Sequence, residues 1–200
     1  IAQRSLKNLA LGYLVRSGKE EWLGKCSRQF REANNMTDQL SALRSLVFHA
    51  GNNFESAKEE ALSSFYLQWQ HEALVVDQWF VTQALNPSVS TLGRVKNLMN
   101  HAAFDIKNPN KVRSLIGAFC SQNHSCFHHS GGDGYEFLAD RVIELDNVNP
   151  QIASRLLTPL TRWRKFDNKR QALMQAQLRR IKATAQLSKD VFEIVEKSTI

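Results

Sequence analysis

The stretch NVNPQIASRLLTPLTRW, residues 147–163, contains the local signals that recur along this chain and decide its fold. Asn149 suits the cap of a helix, and Pro150 suits the first helical position because its missing N–H would have no partner there. Gln151 and Arg155 lie four residues apart and therefore share one face of that helix. Apolar residues occupy another face. The stretch predicts a helix that carries an amide and a guanidinium side by side near its start.

Apolar residues recur at intervals of three or four along almost the whole chain, which is the spacing of amphipathic helices. Clear examples near the two ends of the chain are Leu6, Leu9, Ala10 and Leu14, and Met174, Leu178 and Ile181. Besides Asn149, further helix caps are predicted at Thr37, Asp167 and Ser188. No segment shows sustained alternation of apolar and polar residues with turn residues at both ends, so the sequence predicts no strand.

About eleven helices of roughly 10–17 residues, joined by short turns, are expected from this spacing. Short connections place consecutive helices antiparallel, and a long series of such pairs favours a stacked arrangement. No strict repeat period is visible, which argues against a consensus repeat family. We therefore predict an all-α fold, an irregular α-α superhelix with two layers of helices, that forms a single domain over residues 1–200.

The composition is that of an ordinary globular protein, with 42% hydrophobic and 22% charged residues, and it provides enough apolar material for a substantial core. Lysine and arginine number 26 against 19 acidic residues, a net charge of +7, which is compatible with an acidic partner or ligand. Much of the excess lies in residues 162–182. Gln and Asn interrupt that run and no row of aromatic residues accompanies it, so we interpret it as a solvated helix face.

The three cysteines, Cys26, Cys120 and Cys126, are too few and odd in number for a disulfide scaffold, which favours a reducing compartment. No apolar run approaches the roughly 20 residues that span a bilayer. The amino-terminal residues lack the compact apolar region of a signal peptide. The chain does not begin with Met, which suggests a piece of a longer protein. These observations predict a cytoplasmic location and no membrane span.

Two segments carry potential metal ligands. In HEALV, residues 71–75, a zinc-protease helix would need a second histidine where this chain has Val75, so that motif fails. The segment CSQNHSCFHHSGGDG, residues 120–134, contains five thiol or imidazole groups: Cys120, His124, Cys126, His128 and His129. Their spacing matches no established zinc site, and we interpret the segment as a polar loop whose glycines supply turn geometry. No metal is expected to bind this chain.

Five longer segments stand out in order along the chain: REANNMTDQL (31–40), HEALVVDQWF (71–80), NPNKVRSLIGAF (108–119), NPQIASRLLTPL (149–160) and FDNKRQ (166–171). Together they closely resemble the C-terminal helical domain of the bacterial aminopeptidase N family. The resemblance extends along essentially the whole chain, and several long motifs in one order make it far more specific than any short motif. It implies an α-superhelix similar to armadillo or HEAT repeats.

The resemblance also implies that the parent enzyme is a zinc metallopeptidase of the gluzincin class, which releases amino-terminal residues from peptides. Its zinc ligands, general base and oxyanion-stabilising tyrosine belong to a separate N-terminal catalytic domain, which would be the partner of this chain. The chain itself would contain no catalytic residue, bind no cofactor and be inactive alone. It would cap the active-site chamber, limit the access of peptide substrates and line distal subsites.

The same resemblance implies roles for three side chains at the chamber wall. Gln151 and Arg155 would point from the start of their helix into the cavity, beyond the cleaved bond of the substrate, and Arg113 is a further candidate. An arginine there would attract a peptide carbonyl or terminal carboxylate. The residues alone leave other arrangements open: Gln151 completes the helix cap, or Arg155 pairs with a carboxylate such as Glu144 or Asp146.

Two other classes of function stay open on the sequence. One is a free-standing helical scaffold that binds a protein partner on its concave face, and an upstream coding sequence for His-Glu-x-x-His would argue against it. The other is a nucleic-acid binder that uses residues 162–182, although we predict no nucleic-acid partner. Such a binder would show affinity at low salt that falls steeply as salt is added.

Overall fold

The computed structural model describes residues 2–49 and 54–199, and within these ranges every regular element is a helix. The predicted all-α class is therefore confirmed. The described residues form two compact units that are divided between Asn86 and Pro87. The organisation of residues 1–200 as a single domain stays a prediction. Among the described residues, no helix combines the length and apolar composition needed to cross a lipid bilayer.

The first unit consists, in its described part, of five α-helices. They are α1 Ala2–Arg16, α2 Glu20–Glu32, α3 Met36–His49, α4 Glu55–Trp69 and α5 Ala73–Ala84. Helix α3 packs against the other four helices. Its Leu43 and Leu46 are buried in a core that also contains Phe65 and Phe80. Burial of each such side chain stabilises the fold by about 1.5–3 kcal/mol.

Helix α1 is attached to this unit by polar groups as well as by packing. The side chains of Lys7 and Asn8 donate to the carboxylate of Asp38 at 2.7 and 2.9 Å, and Val15 is fully buried. The predicted apolar stripe of α1 lies elsewhere, because the side chains of Leu6 and Leu9 are 69% and 60% exposed. The spacing of α1 identified its apolar face correctly, but no described residue covers that face.

The second unit contains shorter helices. Its α-helices are α6 Thr91–Leu98, α7 Pro109–Val112, α8 Ala118–Gln122, α9 His124–Phe127, α10 Asp133–Asp146, α11 Pro150–Leu156, α12 Thr158–Thr161, α13 Asn168–Lys182 and α14 Lys189–Thr199. A π-helical turn, Arg113–Gly117, joins α7 to α8, and a 3-10 turn, Trp163–Lys165, follows α12. Several of these segments are shorter than the expected helices because capping residues and prolines restart the chain after one or two turns.

Helices α10, α11, α13 and α14 form the packed centre of the second unit. The predicted stripe of α13 is fully buried at Met174, Leu178 and Ile181. Helix α10 packs against α13 and buries Leu138 and Val142. The prediction of an apolar core face on α13 is therefore confirmed.

Several of these helices are capped at their first turn by a polar side chain. Three of the predicted caps are confirmed: Asn149, Asp167 and Ser188. The prediction for Thr37 is wrong. Helix α3 begins at Met36, and the side-chain oxygen of Asn35 accepts a hydrogen bond from the N–H of Asp38 at 3.0 Å. Asparagine is a stronger capping residue than threonine, which explains why the helix begins earlier.

Candidate functional site

Arg113 begins the π-helical turn between α7 and α8. The helix before it is fixed by Asn108, whose side chain accepts from the N–H of Asn110 at 3.0 Å, and by Pro109 in the first helical position. A π-helical turn places one extra residue within a helix, and such turns are frequent at functional sites. The side chain of Arg113 is exposed, and its Nη1 donates to Oδ1 of Asn110 at 3.1 Å.

Helix α11 presents Gln151 and Arg155 on one exposed face, as their spacing predicts. The cap of this helix is the side chain of Asn149, which accepts from the N–H of Ile152 at 3.2 Å. The backbone carbonyl of Gln151 accepts from the hydroxyl of Ser154 at 3.1 Å, and its side chain makes no hydrogen bond to any residue that the structure describes. The side chain of Gln151 therefore does not complete the cap, and it remains available to a ligand.

The carboxylates considered as partners of Arg155 are engaged by other groups. Glu144 forms an ion pair with Arg141 at 2.6 Å, and Asp146 accepts from the backbone N–H of Ser188 at 2.8 Å. Within the ranges that the structure describes, the guanidinium of Arg155 makes neither a hydrogen bond nor an ion pair. The alternative in which Arg155 serves only as an internal ion-pair partner has no support in the structure.

Arg113 and Arg155 both line one open cleft of about 260 Å³. The π-helical turn and α8 form one side of this cleft, and α11 forms the other. We call it the arginine cleft, and its lining residues are Arg113, Gly117, Ser121, Gln122, Ile152, Arg155 and Leu156. No carboxylate belongs to this lining. Two guanidinium groups without a counter-charge create a positive potential that favours a carboxylate or a carbonyl oxygen. Gln151 lies outside the lining of the cleft.

The sequence interpretation did not single out Gly117, Ser121 or Gln122 as lining residues. A signal was present, because Gly117 and Ser121 follow Arg113 by four and eight residues and so share its face of the helix. That signal identifies a face but not its partner. The cleft depends on α11, which no local spacing connects to Arg113.

The His/Cys segment is divided among separate local contacts. Burial raises the pKa of the Cys120 thiol, and the Cys126 thiol donates to the carbonyl of Ser88 at 3.1 Å. Nδ1 of His128 lies 3.0 Å from the hydroxyl of Tyr135. Burial, with the nearby charges of His124 and Arg170, lowers the pKa of His128 to about 4. No group of three or more potential metal ligands comes together among the described residues.

The glycines of this segment have the expected role in the turn before α10. Gly132 adopts a φ of 85°, in the left-handed region that favours glycine, directly before the first residue of α10. His71 and Glu72 lie in a turn before α5, which begins at Ala73, so they do not form a metal-binding helix face.

The basic run 162–182 is largely exposed, and several of its charges are paired within the chain. Arg170 pairs with Asp167 at 2.6 Å, and Lys182 pairs with Glu196 at 2.5 Å. These pairs support the interpretation of this run as a solvated helix face.

Comparison with known proteins places the whole chain in one family. A family described as "Domain of unknown function (DUF3458_C) ARM repeats" matches residues 1–199. The chain belongs to this ARM-repeat family. The predicted armadillo-like class is thereby confirmed, and so is the resemblance to the C-terminal domain of aminopeptidase N, as its relatives show.

Relatives of the chain carry the name aminopeptidase. Aminopeptidase N of Haemophilus influenzae is 41% identical over 99% of this chain, and aminopeptidase N of Escherichia coli is 39% identical over 99%. A crystal structure of Legionella pneumophila aminopeptidase A in complex with aspartic acid is similar in fold, with a TM-score of 0.89 and 36% identity over 98% of this chain. The chain spans 22% of the length of each of these proteins.

Proposed function

We propose that this chain is the helical, non-catalytic part of a zinc-dependent aminopeptidase, similar to aminopeptidase N, that releases amino-terminal residues from peptides. The match to proteins of that name along 99% of the chain carries this proposal. The described residues do not offer a fit for zinc, because no three of their His, Cys, Asp or Glu side chains come together. The zinc and the catalytic groups are therefore assigned to a separate catalytic domain, and no catalytic step is assigned to this chain.

The proposed role of the chain is to cap the active-site chamber, to limit the access of peptides and to line distal subsites. The arginine cleft supports this role, because Arg113 and Arg155 are exposed there without a lining carboxylate. Such a cleft suits the carbonyls or the terminal carboxylate of a peptide beyond the cleaved bond. Gln151 lies one turn before Arg155 and would add a neutral donor and acceptor next to the cleft.

The exposed face of α1 supports attachment to another part of the same enzyme. Leu6, Leu9 and Tyr13 are each at least 60% exposed. Burial of apolar surface lowers the free energy by about 25 cal/mol per Å². A row of three exposed apolar side chains therefore favours burial against a partner surface. In this proposal the partner surface belongs to the catalytic domain. The predicted cytoplasmic location belongs to the same proposal.

The proposed substrate role is tested with Arg155→Ala in the intact enzyme. The variant should lower kcat/KM for peptides of several residues by about tenfold or more, since one charge-assisted contact contributes roughly 1.5–3 kcal/mol. Hydrolysis of a single-residue amide, which does not reach the distal subsites, should be unchanged. Lys169→Ala is the matched control, because Lys169 is exposed and lines no cleft described here. Equal effects of Arg155→Ala on both substrates would contradict the role.

A second experiment tests the division of labour between the two parts of the enzyme. The isolated chain should show no peptidase activity, whereas mixing it with the catalytic domain alone should restore hydrolysis of peptides. Activity of the isolated chain would contradict the assignment of catalysis elsewhere. A coding sequence without a His-Glu-x-x-His segment next to this chain would favour the free-standing scaffold instead.

A further inference from the structure

A second cleft in the residue 87–200 unit has a different set of charged groups. It measures about 230 Å³ and lies between α8 and α9 on one side and α12 with the 3-10 turn on the other. Its polar lining includes Ser121, His124, Arg162 and Lys165, and no carboxylate takes part. We call it the histidine cleft. A neighbouring depression of about 540 Å³ shares four of its lining residues, and there the carboxylate of Asp167 is held by Arg170 at 2.6 Å.

Four of the polar side chains that line the histidine cleft have no hydrogen-bond acceptor among the described residues, whereas the Thr158 hydroxyl, which also lines it, donates to the carbonyl of Arg155. Within the described ranges, the side chains of Arg162 and Lys165 make no hydrogen bond or ion pair, and those of Ser121 and His124 make no hydrogen bond. Elsewhere in the basic run, charges such as Arg170 and Lys182 do find carboxylates. Four donors that face one cleft without an acceptor form an arrangement complementary to an oxyanion.

The wall of the histidine cleft is fixed mainly by contacts with other residues, although the ring of His124 stacks beside that of His128 with centroids 6.0 Å apart. The ring of His128 stacks on Phe166 with centroids 4.1 Å apart, and its Nδ1 lies 3.0 Å from the hydroxyl of Tyr135. The Nε of Arg170 donates to the carbonyl of His128 at 2.7 Å. Because the pKa of His128 is lowered to about 4, this ring is neutral at neutral pH and acts as part of an aromatic wall.

The histidine cleft has the features of a binding site rather than of a reactive site. The one thiol in its lining, Cys120, is buried, and burial raises its pKa, so the nucleophilic thiolate is not formed at neutral pH. The cleft has room for several water-sized groups of about 30 Å³ each, which accommodates a carboxylate or a phosphate group.

We propose that the histidine cleft binds an oxyanion, a carboxylate or a phosphate group of a ligand, through Arg162, Lys165 and His124. Arg162 supplies a planar pair of donors, Lys165 a point charge, and His124 a further N–H donor. The charged groups of this site are other than the two arginines that define the arginine cleft, although Ser121 lines both clefts, and the proposal does not depend on the proposed aminopeptidase function.

Isothermal titration calorimetry on the full-length protein tests this proposal at constant ionic strength. The probes are inorganic phosphate and a short peptide in two forms, one with a free terminal carboxylate and one with a terminal amide. Binding of phosphate but of neither peptide identifies a phosphate ligand, and binding of the acid but not of the amide identifies a carboxylate. Absence of binding by both phosphate and the acid peptide overturns the proposal.

Two double variants with the same change in net charge assign the binding to the cleft. Arg162→Gln/Lys165→Gln should weaken binding at least about tenfold, because both charge-assisted contacts are lost. Lys169→Gln/Arg179→Gln removes two exposed cations that do not line the cleft and should leave the affinity within about twofold. Equal weakening by the two double variants would show non-specific attraction and overturn the proposal.

A third variant, His124→Ala, tests the cleft without removing a lysine or an arginine. It should weaken binding by a smaller factor than the double variant, because it deletes one donor from an exposed position. Circular dichroism of each variant confirms that the helices are intact. Unchanged affinity in both His124→Ala and Arg162→Gln/Lys165→Gln, with intact helices, would place the bound oxyanion elsewhere and overturn the proposal.

Discussion

Helices α1 and α13 contain 15 residues each, yet they are held in their units by opposite means. Helix α13 buries a continuous apolar stripe and directs basic residues to solvent. Helix α1 buries Asn8 and Val15, and its apolar row faces outward. Apolar periodicity identifies a helix and its apolar face. It does not establish that the same stretch of chain covers that face.

The largest difference between the two helices should appear when one leucine of each is shortened. Leu178→Ala in α13 should lower the free energy of unfolding by about 2–5 kcal/mol, because it opens a cavity in a fully buried stripe. Leu9→Ala in α1 should change it by less than about 0.5 kcal/mol, because the side chain is exposed in this chain. Urea denaturation followed by circular dichroism measures both values. Similar losses would show that the face of α1 is covered.

A second test addresses the polar attachment of α1. Asp38→Ala should lower the free energy of unfolding by about 1–3 kcal/mol, because the buried amide of Asn8 loses its acceptor and Lys7 loses its ion pair. Amide hydrogen exchange should increase in α1 more than in α4. Asp190→Ala, at an exposed position near the start of α14, is the control and should have little effect. Protection of α1 that stays unchanged in Asp38→Ala would mean that packing alone holds this helix.

Acid should destabilise the two units in different pH ranges. In the higher range the effect should come from protonation of His128 in the second unit. Burial lowers the pKa of this imidazole from 6.5 to about 4. The unfolded chain therefore takes up the proton first, so the stability that neutral His128 contributes to the second unit is fully present above pH 6.5 and is lost as pH falls toward 4. Urea midpoints measured across this range should decrease in the wild-type protein. A His128→Phe variant should show a smaller decrease between those pH values, and an identical slope would contradict this origin.

In the lower pH range the effect should come from protonation of Asp38, the carboxylate that accepts hydrogen bonds from α1. Hydrogen bonds from Lys7 and Asn8 lower the pKa of Asp38 from 3.8 to about 2. The stabilisation is therefore present above pH 3.8 and is lost as pH falls through about 2. Hydrogen exchange of α1 should increase in this range, and Asp38→Asn should remove that dependence. An Asp38→Asn variant that keeps the full acid response would assign it to other carboxylates.

The smallest effects are expected at two glycines of the α1 region. Gly12→Ala should raise the free energy of unfolding by about 0.5–1 kcal/mol, because alanine favours a helix interior and the new Cβ would lie 3.5 Å from Oγ of Ser45, an ordinary contact. Gly18→Ala should lower it by a similar amount, since Gly18 has a φ of 72° after the end of α1. Thermal denaturation measures the two shifts, which should have opposite signs. A loss of stability in Gly12→Ala would indicate a tighter fit between α1 and α3.

Local features of the fold were predictable from sequence because their causes are local. The caps at Asn149 and Asp167 depend on a side chain and a backbone N–H three residues later, and the stripe of α13 depends on helical spacing. Asn35 was missed as a cap because two asparagines and a threonine lie within four residues at the start of the same helix, and spacing alone does not rank them. The exposure of Leu9 depends on which distant residues cover it, and no local pattern specifies that.

The candidate site was predictable as a set of residues but not as a geometry. The resemblance pointed to Arg113, Gln151 and Arg155, and the structure places the two arginines at one cleft while Gln151 lies outside its lining. Their meeting requires a contact between segments about 40 residues apart in sequence, which periodicity does not encode. The histidine cleft was missed for the same reason. In the sequence, Arg162 and Lys165 belong to a solvated basic run, and only the structure shows that α9 lies beside them.

The π-helical turn at Arg113–Gly117 changes how this segment should respond to a change in its length. In an uninterrupted α-helix each residue advances the side chains by about 100° around the axis, so deleting one residue rotates everything beyond it by that angle. A π-helical turn already holds one residue more than an α-helical turn. Deleting one residue there would restore regular winding and leave the helix on either side close to its present phase, with Phe119 still in the core. A single-codon deletion should therefore be tolerated better at this turn than in the uninterrupted helices, and its main effect would fall on the side chains of the turn itself, Arg113 among them.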